Sequence, residues 1–599
     1  MADLLFRIEI PRPAASELLV RLRVSTADLE LERSRSGAEL ILFMPTWTPG
    51  SYLIREYSRH VVGVSATDVD TGASLPCAKA AKNRWAVTLT ATTRGVDVEY
   101  TVYCHELSVR TADVTTDHAF WNNACVLMWP IGRRRDTCDI TVQTPAEWRI
   151  STALRTTQEE LSADGSTRDV TLRACGMDEA FDSPIMAGRQ QVLQWVSCGV
   201  PHSLAVDGLE GIDLPESLLG DLDRIVRASA SIFGGALPYA HFTFLCLLSQ
   251  DGHGGLEHAN STTLLHPRTQ LRNRKGYIEL LSLAAHELFH AWNVKRMRPV
   301  EFVELSYETE TYTRFLWMIE GWTAYFDDLI CLRAGVYCVD EYLAAMGKNV
   351  QAFLSNPGRF RTSLADSSYD AWIRLYRPDE NTRNSSQNYY GNGAVAAMCL
   401  DLVLRESSAG ERSLDDVVRT LYAASGSGSG YTLAEVLRVV EQAGGHAAKE
   451  FLVASTSGAF DPPLRELLMT HGIALSLKDL GQPQLGVQFE PGHTVISSVG
   501  RQSAAWTAGI MPGDEVIAIN GLRVDAPRWS EIFGAVAVTN RELDLLIARR
   551  GVVKTIRATP SSSPGLATLE PMTSADAKSR SLRERWLESG GSDRKAGRD

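Results

Sequence analysis

Residues 277–292 read YIELLSLAAHELFHAW, from Tyr277 to Trp292. Apolar side chains recur there at three- and four-residue spacing, which predicts a helix from about Gly276 to Val294. Within it His286 and His290 stand four apart, so both rings leave the same helical face and can close on one cation. Glu287, one position along, can reach a water held beside them. With 13 histidines in 599 residues, chance yields this His-Glu-x-x-His pattern on the order of 0.02 times per chain. The spacing therefore points to a metal-dependent hydrolytic centre.

Catalytic zinc commonly takes three protein ligands and leaves one position open. Downstream, LWMIEGWTAYF at 316–326 holds a single carboxylate, Glu320, in an apolar stretch of a helix predicted over Thr311–Leu329. A buried acid without a partner is costly, so Glu320 is read as the third ligand; the competing reading is a core salt bridge to Arg314 or Lys295. Asp327 lies seven residues on, on roughly the same face, and is read either as an orienting partner for a ligand imidazole or as a surface carboxylate. Two imidazoles and a carboxylate suit one Zn2+ per chain, although cobalt or manganese could fill the same set.

Working outward, the pattern changes twice. Residues 1–175 are short period-two runs such as LLVRLRV, AELILFM and VDVEYTVYC, which read as an antiparallel β domain. Its least generic stretch, PTWTPGSYLIREY at 45–57, is either a turn between strands or a wall of a neighbouring cleft. Residues 176–475 mix helix and strand, with HFTFLCLLSQ at 241–250 strand-like ahead of the glycine-rich DGHGGLEH. Residues 482–562 show a third pattern of short strands around glycine turns. There, SAAWTAGIMPGDEVIAINGLRV at 503–524 resembles a PDZ domain, and Leu485, Gly486, Val487, Gln488 and Phe489 resemble that family's carboxylate-binding loop, whose backbone N–H groups receive a C-terminal peptide ligand. A purely structural or interdomain use of this module is the alternative. Residues 563–599 read as a mobile tail.

Composition narrows the function classes. Apolar residues are 44% and charged residues 22%, an ordinary globular balance. Lys and Arg number 60 against 72 Asp and Glu, a net charge of -12 that does not support a generally basic surface for nucleic acid or anionic membrane. The ten cysteines are too sparse for a disulfide scaffold. Asp3 and Glu9 stand where an export signal would need a basic and then an apolar region, and no window approaches 18 uncharged apolar residues, so a cytoplasmic protein without membrane insertion is expected.

HELFHAWNVKRMRP at 286–299, followed by TRFLWMIEGWTAYF at 313–326, resembles the glycyl aminopeptidase family, zinc metallopeptidases of the gluzincin type. PTWTPGSYLIREY resembles that family's N-terminal domain. The resemblance implies a multidomain α+β chain: a β domain, a thermolysin-like, mainly helical catalytic domain and a C-terminal PDZ domain. It puts His286, His290 and Glu320 on the zinc ligands and Glu287 on the general base. Gly254, Gly255 and Glu257, in GGLEH, resemble the exopeptidase motif whose glutamate meets the substrate's free α-amino group; the alternative is a turn with a solvent-facing glutamate. Tyr389-Tyr390-Gly-Asn-Gly393 resembles a Tyr-x-Lys-Gly pattern that makes Tyr390 the oxyanion donor, with a packing pair of tyrosines as the alternative. Asn392 departs from that pattern by replacing its lysine. The implied activity is zinc-dependent removal of a small first residue, Gly or Ala, from peptides with a free N-terminus. A zinc endopeptidase, a broad aminopeptidase and a noncatalytic PDZ scaffold are the competing readings.

Overall fold

A computed structural model describes residues 2–26, 32–34, 37–426, 428–478, 481–563 and 565–587. The chain divides into two compact units, residues 1–311 with 422–430 and residues 312–421 with 431–599.

Period-two burial builds the first unit's largest sheet. In Leu4–Glu9, Glu17–Ser25 and, from Val96 onward, Gly95–Tyr103, alternate residues are buried. These three strands are neighbours in an eight-stranded sheet ordered Arg155–Leu161, Thr167–Ala174, Cys138–Pro145, Leu4–Glu9, Glu17–Ser25, Gly95–Tyr103, Val61–Asp68, Ser74–Leu75. Every pair is antiparallel except Leu4–Glu9 with Cys138–Pro145. The β-rich region continues past the expected boundary at 175. Ile185–Gly188 is buried throughout, so it lacks the alternation that marks a half-exposed strand, and it pairs with His118–Trp121 and Arg149–Ser151.

A five-stranded sheet follows, ordered Gln191–Ser197, Val200–Asp207, Phe242–Ser249, Ser261–Pro267, Gly254–Glu257. Helix Leu218–Ile232 carries the crossover between its first parallel pair. Gly254–Glu257 lies antiparallel to Ser261–Pro267 at the sheet edge, so the GGLE motif is strand rather than turn. The histidine helix spans Arg274–Phe289, five residues shorter at its C-terminus than its periodicity predicts. Asn273 caps its start, accepting from the Gly276 N–H at 2.8 Å.

The second unit is mainly helical. Leu316–Arg333 is buried on nearly every side, the mark of a core helix. It begins at Leu316 rather than Thr311 because Ser368 Oγ, from another helix, accepts the Trp317 N–H at 3.0 Å. Residues 483–562 gather around their own core of Leu485, Ile496, Val516, Leu545 and Ile547. Their ends are closed by the pairing of Pro483–Gln484 with Ser561–Ser562.

The expected tail is folded as far as Leu587. Leu566–Pro571 pairs with Ile473–Lys478, and helix Ala577–Leu587 buries Leu582 and Trp586. AKSRSLRERWL is too polar to announce itself as a helix, and the strand's partner is remote in sequence. Residues 588–599 lie outside the described residues. Among the described residues, no helix is long and apolar enough to cross a membrane.

Candidate active site

In the first unit the His286 and His290 rings lie 4.8 Å apart between centroids, as the four-residue spacing requires. His290 is 1% exposed, and its Nδ1 contacts the Asn293 carbonyl at 2.8 Å. A carbonyl only accepts, so Nδ1 carries the proton and Nε2 keeps the lone pair with which it could hold a cation. The chain reverses directly after the helix, with the Lys295 N–H donating to the His290 carbonyl at 3.1 Å and Val294 at φ 112°.

Two glycines bring carboxylates to these rings. A Cβ on Gly255 would lie 2.1 Å from Glu287 Oε1, so any other residue on the edge strand would push that carboxylate from its place. A Cβ on Gly50, at φ 87°, would lie 2.4 Å from Glu257 Oε2. The 45–57 loop is therefore a wall of the Glu257 site. Glu257, Glu287 and His290 are all buried, with ligating atoms within 4.8 Å of one another. Glu257 is 4% exposed, which removes the reading of a solvent-facing glutamate. Beside it opens a cavity of about 370 Å³ with Trp47, Tyr52 and Phe302 among its walls. Imidazole nitrogens with adjacent buried carboxylates form a donor set that suits zinc.

In the second unit, Glu320 is 2% exposed on helix Leu316–Arg333. The two cations weighed as its partners are engaged elsewhere: Arg314 with Asp366, and Lys295 with Asp182 at 2.8 Å. The next residue, Gly321, meets Gly393 of helix Gly391–Ser407 so closely that a Cβ on Gly321 would lie 2.6 Å from the Gly393 α-carbon. This crossing sets Tyr390, at the N-terminus of the second helix, beside Glu320. Burial, then the Glu320 charge and the Tyr376 and Tyr389 hydroxyls, push the Tyr390 pKa well above the ordinary phenol range, so it stays protonated and able to donate. Tyr389 stacks on it at 5.0 Å and is fully buried. Asn392 is buried and donates to Gln387 Oε1 at 3.0 Å. A neutral side-chain amide, hydrogen-bonded to Gln387, thus occupies the place of the pattern's lysine. Asp327 lies two turns beyond Glu320, nearly buried, its Oδ1 accepting from the Asp328 N–H at 2.5 Å.

Farther along, Leu485 is buried, Gly486 at φ 78° accepts the Gly500 N–H at 2.8 Å, and Val487–Phe489 pairs with Ile496–Val499. Phe489 packs edge-on against Trp529 at 4.5 Å, and Gln488 Oε1 accepts from Ser498 Oγ. Sequence reasoning missed Gly50, Gly321 and Gly393 as close approaches, the Asn293 carbonyl and Tyr376. Only the glycines carried a signal, and a glycine alone does not disclose what approaches it.

The M61 glycyl aminopeptidase family model matches residues 279–396, and the peptidase M61 N-terminal domain model matches residues 6–189. No curated protein matches the chain. Among solved structures, an aminopeptidase N family protein from Idiomarina loihiensis is similar with a TM-score of 0.87 and 27% identity, covering 98% of this chain and 100% of that one. An M1 zinc metallopeptidase from Deinococcus radiodurans is similar with a TM-score of 0.50 and 16% identity, covering 77% of this chain and 94% of its own, a likeness of fold alone.

Proposed function

Because the chain has an M61-family zinc-metallopeptidase fold, we propose that it is a zinc-dependent aminopeptidase in which His286, His290 and Glu320 hold one ion. When bound, zinc supplies the Lewis acidity that amide hydrolysis at neutral pH requires. Glu287 takes the proton of the attacking water and returns it to the leaving amine. The Tyr390 hydroxyl donates a hydrogen bond to the carbonyl oxygen as that oxygen gains charge. Glu257 pairs with the substrate's α-ammonium and presents the first peptide bond. Asp327, two turns along the Glu320 helix, is assigned the role of an orienting partner for a ligand imidazole.

One observation carries this reading: Glu257 is buried within 4.8 Å of the base Glu287 and of His290. A second carboxylate at that spot calls for a cation, and the free N-terminus of a peptide brings one. A Gly or Ala first residue follows from the family resemblance. The cavity beside Glu257, with its Trp47, Tyr52 and Phe302 walls, favours a broader aminopeptidase as the second reading. The 485–489 segment, with an apolar core of its own behind it, supports a PDZ-type site for a C-terminal peptide. A reducing, cytoplasmic setting goes with ten cysteines too sparse in the sequence for a disulfide scaffold.

The test is hydrolysis of X-Ala-Phe peptides, free and N-acetylated, with zinc content measured in the same sample. Hydrolysis confined to free peptides, and lost in Glu257→Ala, is expected. Equal cleavage of acetylated peptides would make the protein a zinc endopeptidase. Gly or Ala against Leu or Phe at the first position decides between the two specificities.

A further inference from the structure

Asp182 belongs to none of the motifs above, lying between helix Met177–Phe181 and strand Ile185–Gly188. Its Oδ2 accepts the Ala259 N–H at 2.8 Å; its Oδ1 accepts Lys295 Nζ at 2.8 Å and meets His258 Nδ1 at 3.2 Å. The Lys295 and His258 side chains are 10% and 1% exposed. Burial alone would raise the Asp182 pKa, but the Lys295 ammonium and the His258 ring outweigh it and keep the carboxyl below the usual range, hence ionised.

The three donors come from two strategic segments. His258 and Ala259 directly follow Glu257 at the end of the edge strand. Lys295 closes the turn after the histidine helix, where its N–H already binds the His290 carbonyl. One carboxylate therefore ties the segment carrying the amine anchor to the segment carrying a metal-ligand histidine.

We propose that Asp182 is a positioning residue that fixes the distance from Glu257 to the Glu287–His290 cluster, and through that distance restricts cleavage to the first peptide bond. The proposal rests on the aminopeptidase reading. An extended peptide advances about 3.3–3.6 Å per residue, so an anchor free to move by that length admits the second bond. A misplacement of about 1 Å already costs on the order of 100-fold in rate.

The experiment uses the zinc-loaded full chain and Ala-Ala-Phe-type peptides, with products identified by mass. Asp182→Asn keeps the size and removes the charge. Expected are a KM for free-amine peptides raised at least tenfold and the appearance of second-bond products, with zinc per chain unchanged. A KM within twofold of wild type with first-bond products alone would overturn the proposal. Loss of kcat alone would do the same, since a merely structural role lowers turnover without changing which bond is cut. Should Asp182→Asn fail to fold, Lys295→Met, which removes one donor and leaves the Ala259 bond, is read by the same criteria. Failure of the aminopeptidase reading itself shows separately, as wild-type cleavage of acetylated and free peptides alike.

Discussion

Glu287 is 5% exposed and sits against the backbone of Gly255, so its amide counterpart fits the same space. Glu287→Gln should keep zinc, because the proposed ligands are other residues, while turnover falls by roughly 10²–10⁴, the usual worth of a general base. Metal analysis and kcat on one preparation check both halves; unchanged kcat would remove Glu287 as the base. For Tyr390, a hydroxyl aimed at the developing oxyanion should be worth about 10²–10³ in kcat with little effect on KM. Tyr390→Phe should show that loss, and Tyr389→Phe, deleting a hydroxyl from a fully buried stacked ring, should affect stability more than kcat. The reverse ranking would exchange their roles. At this scale His286, Glu287, His290 and Glu320 are legible as candidates because helical spacing or an acid in an apolar run is a local signal. Asp182 and Gly50 are not, since what they touch is brought to them by the fold.

At the scale of elements, the helices holding Glu320 and Tyr390 were readable from apolar periodicity, but the crossing that sets their separation was not. That crossing depends on two glycines. A Cβ on Gly393 would lie 2.8 Å from the Gly321 α-carbon and 3.0 Å from the Trp317 carbonyl, both backbone atoms that yield only if a helix shifts. Gly393→Ala should therefore cost about 1–3 kcal/mol in stability and lower kcat as well, by moving Tyr390 relative to Glu320. Gly391 is the internal control. It opens the same helix, and a Cβ there meets nothing within 4 Å, so Gly391→Ala should be neutral or stabilise by about 0.5–1 kcal/mol. Unfolding midpoints and kcat for both variants test this, and equal changes in the two would mean that the close approach at Gly393 does not set the cost.

At the scale of the whole molecule, stability should depend on pairings between segments remote in sequence. His118 lies between Asp207 at 2.6 Å and Asp113 at 2.8 Å, joining the His118–Trp121 strand to Val200–Asp207. Burial works against its charge, but the two carboxylates prevail and raise its pKa to about 9. A pKa raised on folding adds stability that is full below the unfolded value of about 6.5 and is lost as pH climbs through about 9. The contribution is on the order of 3 kcal/mol. The gap in unfolding midpoint between wild type and His118→Asn should therefore shrink from pH 7 to pH 10; a constant gap would rule out the charged pairing. The C-terminal segment tests the same idea on the second unit. Trp586 is fully buried, with Nε1 donating to Tyr325 Oη at 3.0 Å, and that hydroxyl donates to Asp401 at 2.6 Å. Arg405, paired with Asp401 at 3.0 Å, also donates to the Arg585 carbonyl at 2.8 Å. The segment thus closes a buried polar network on the helix that carries Glu320. Ending the chain after Ser563 removes a tryptophan from that core, a loss of about 3–5 kcal/mol for the side chain alone, and strips Ile473–Lys478 of its strand partner. Ending it after Leu587 keeps every one of these contacts. The chain ending at Leu587 should match the full chain in unfolding midpoint and zinc content, and the chain ending at Ser563 should lose both or fail to fold. Equal behaviour of the two would make the segment from Leu566 to Leu587 dispensable to the Glu320 helix.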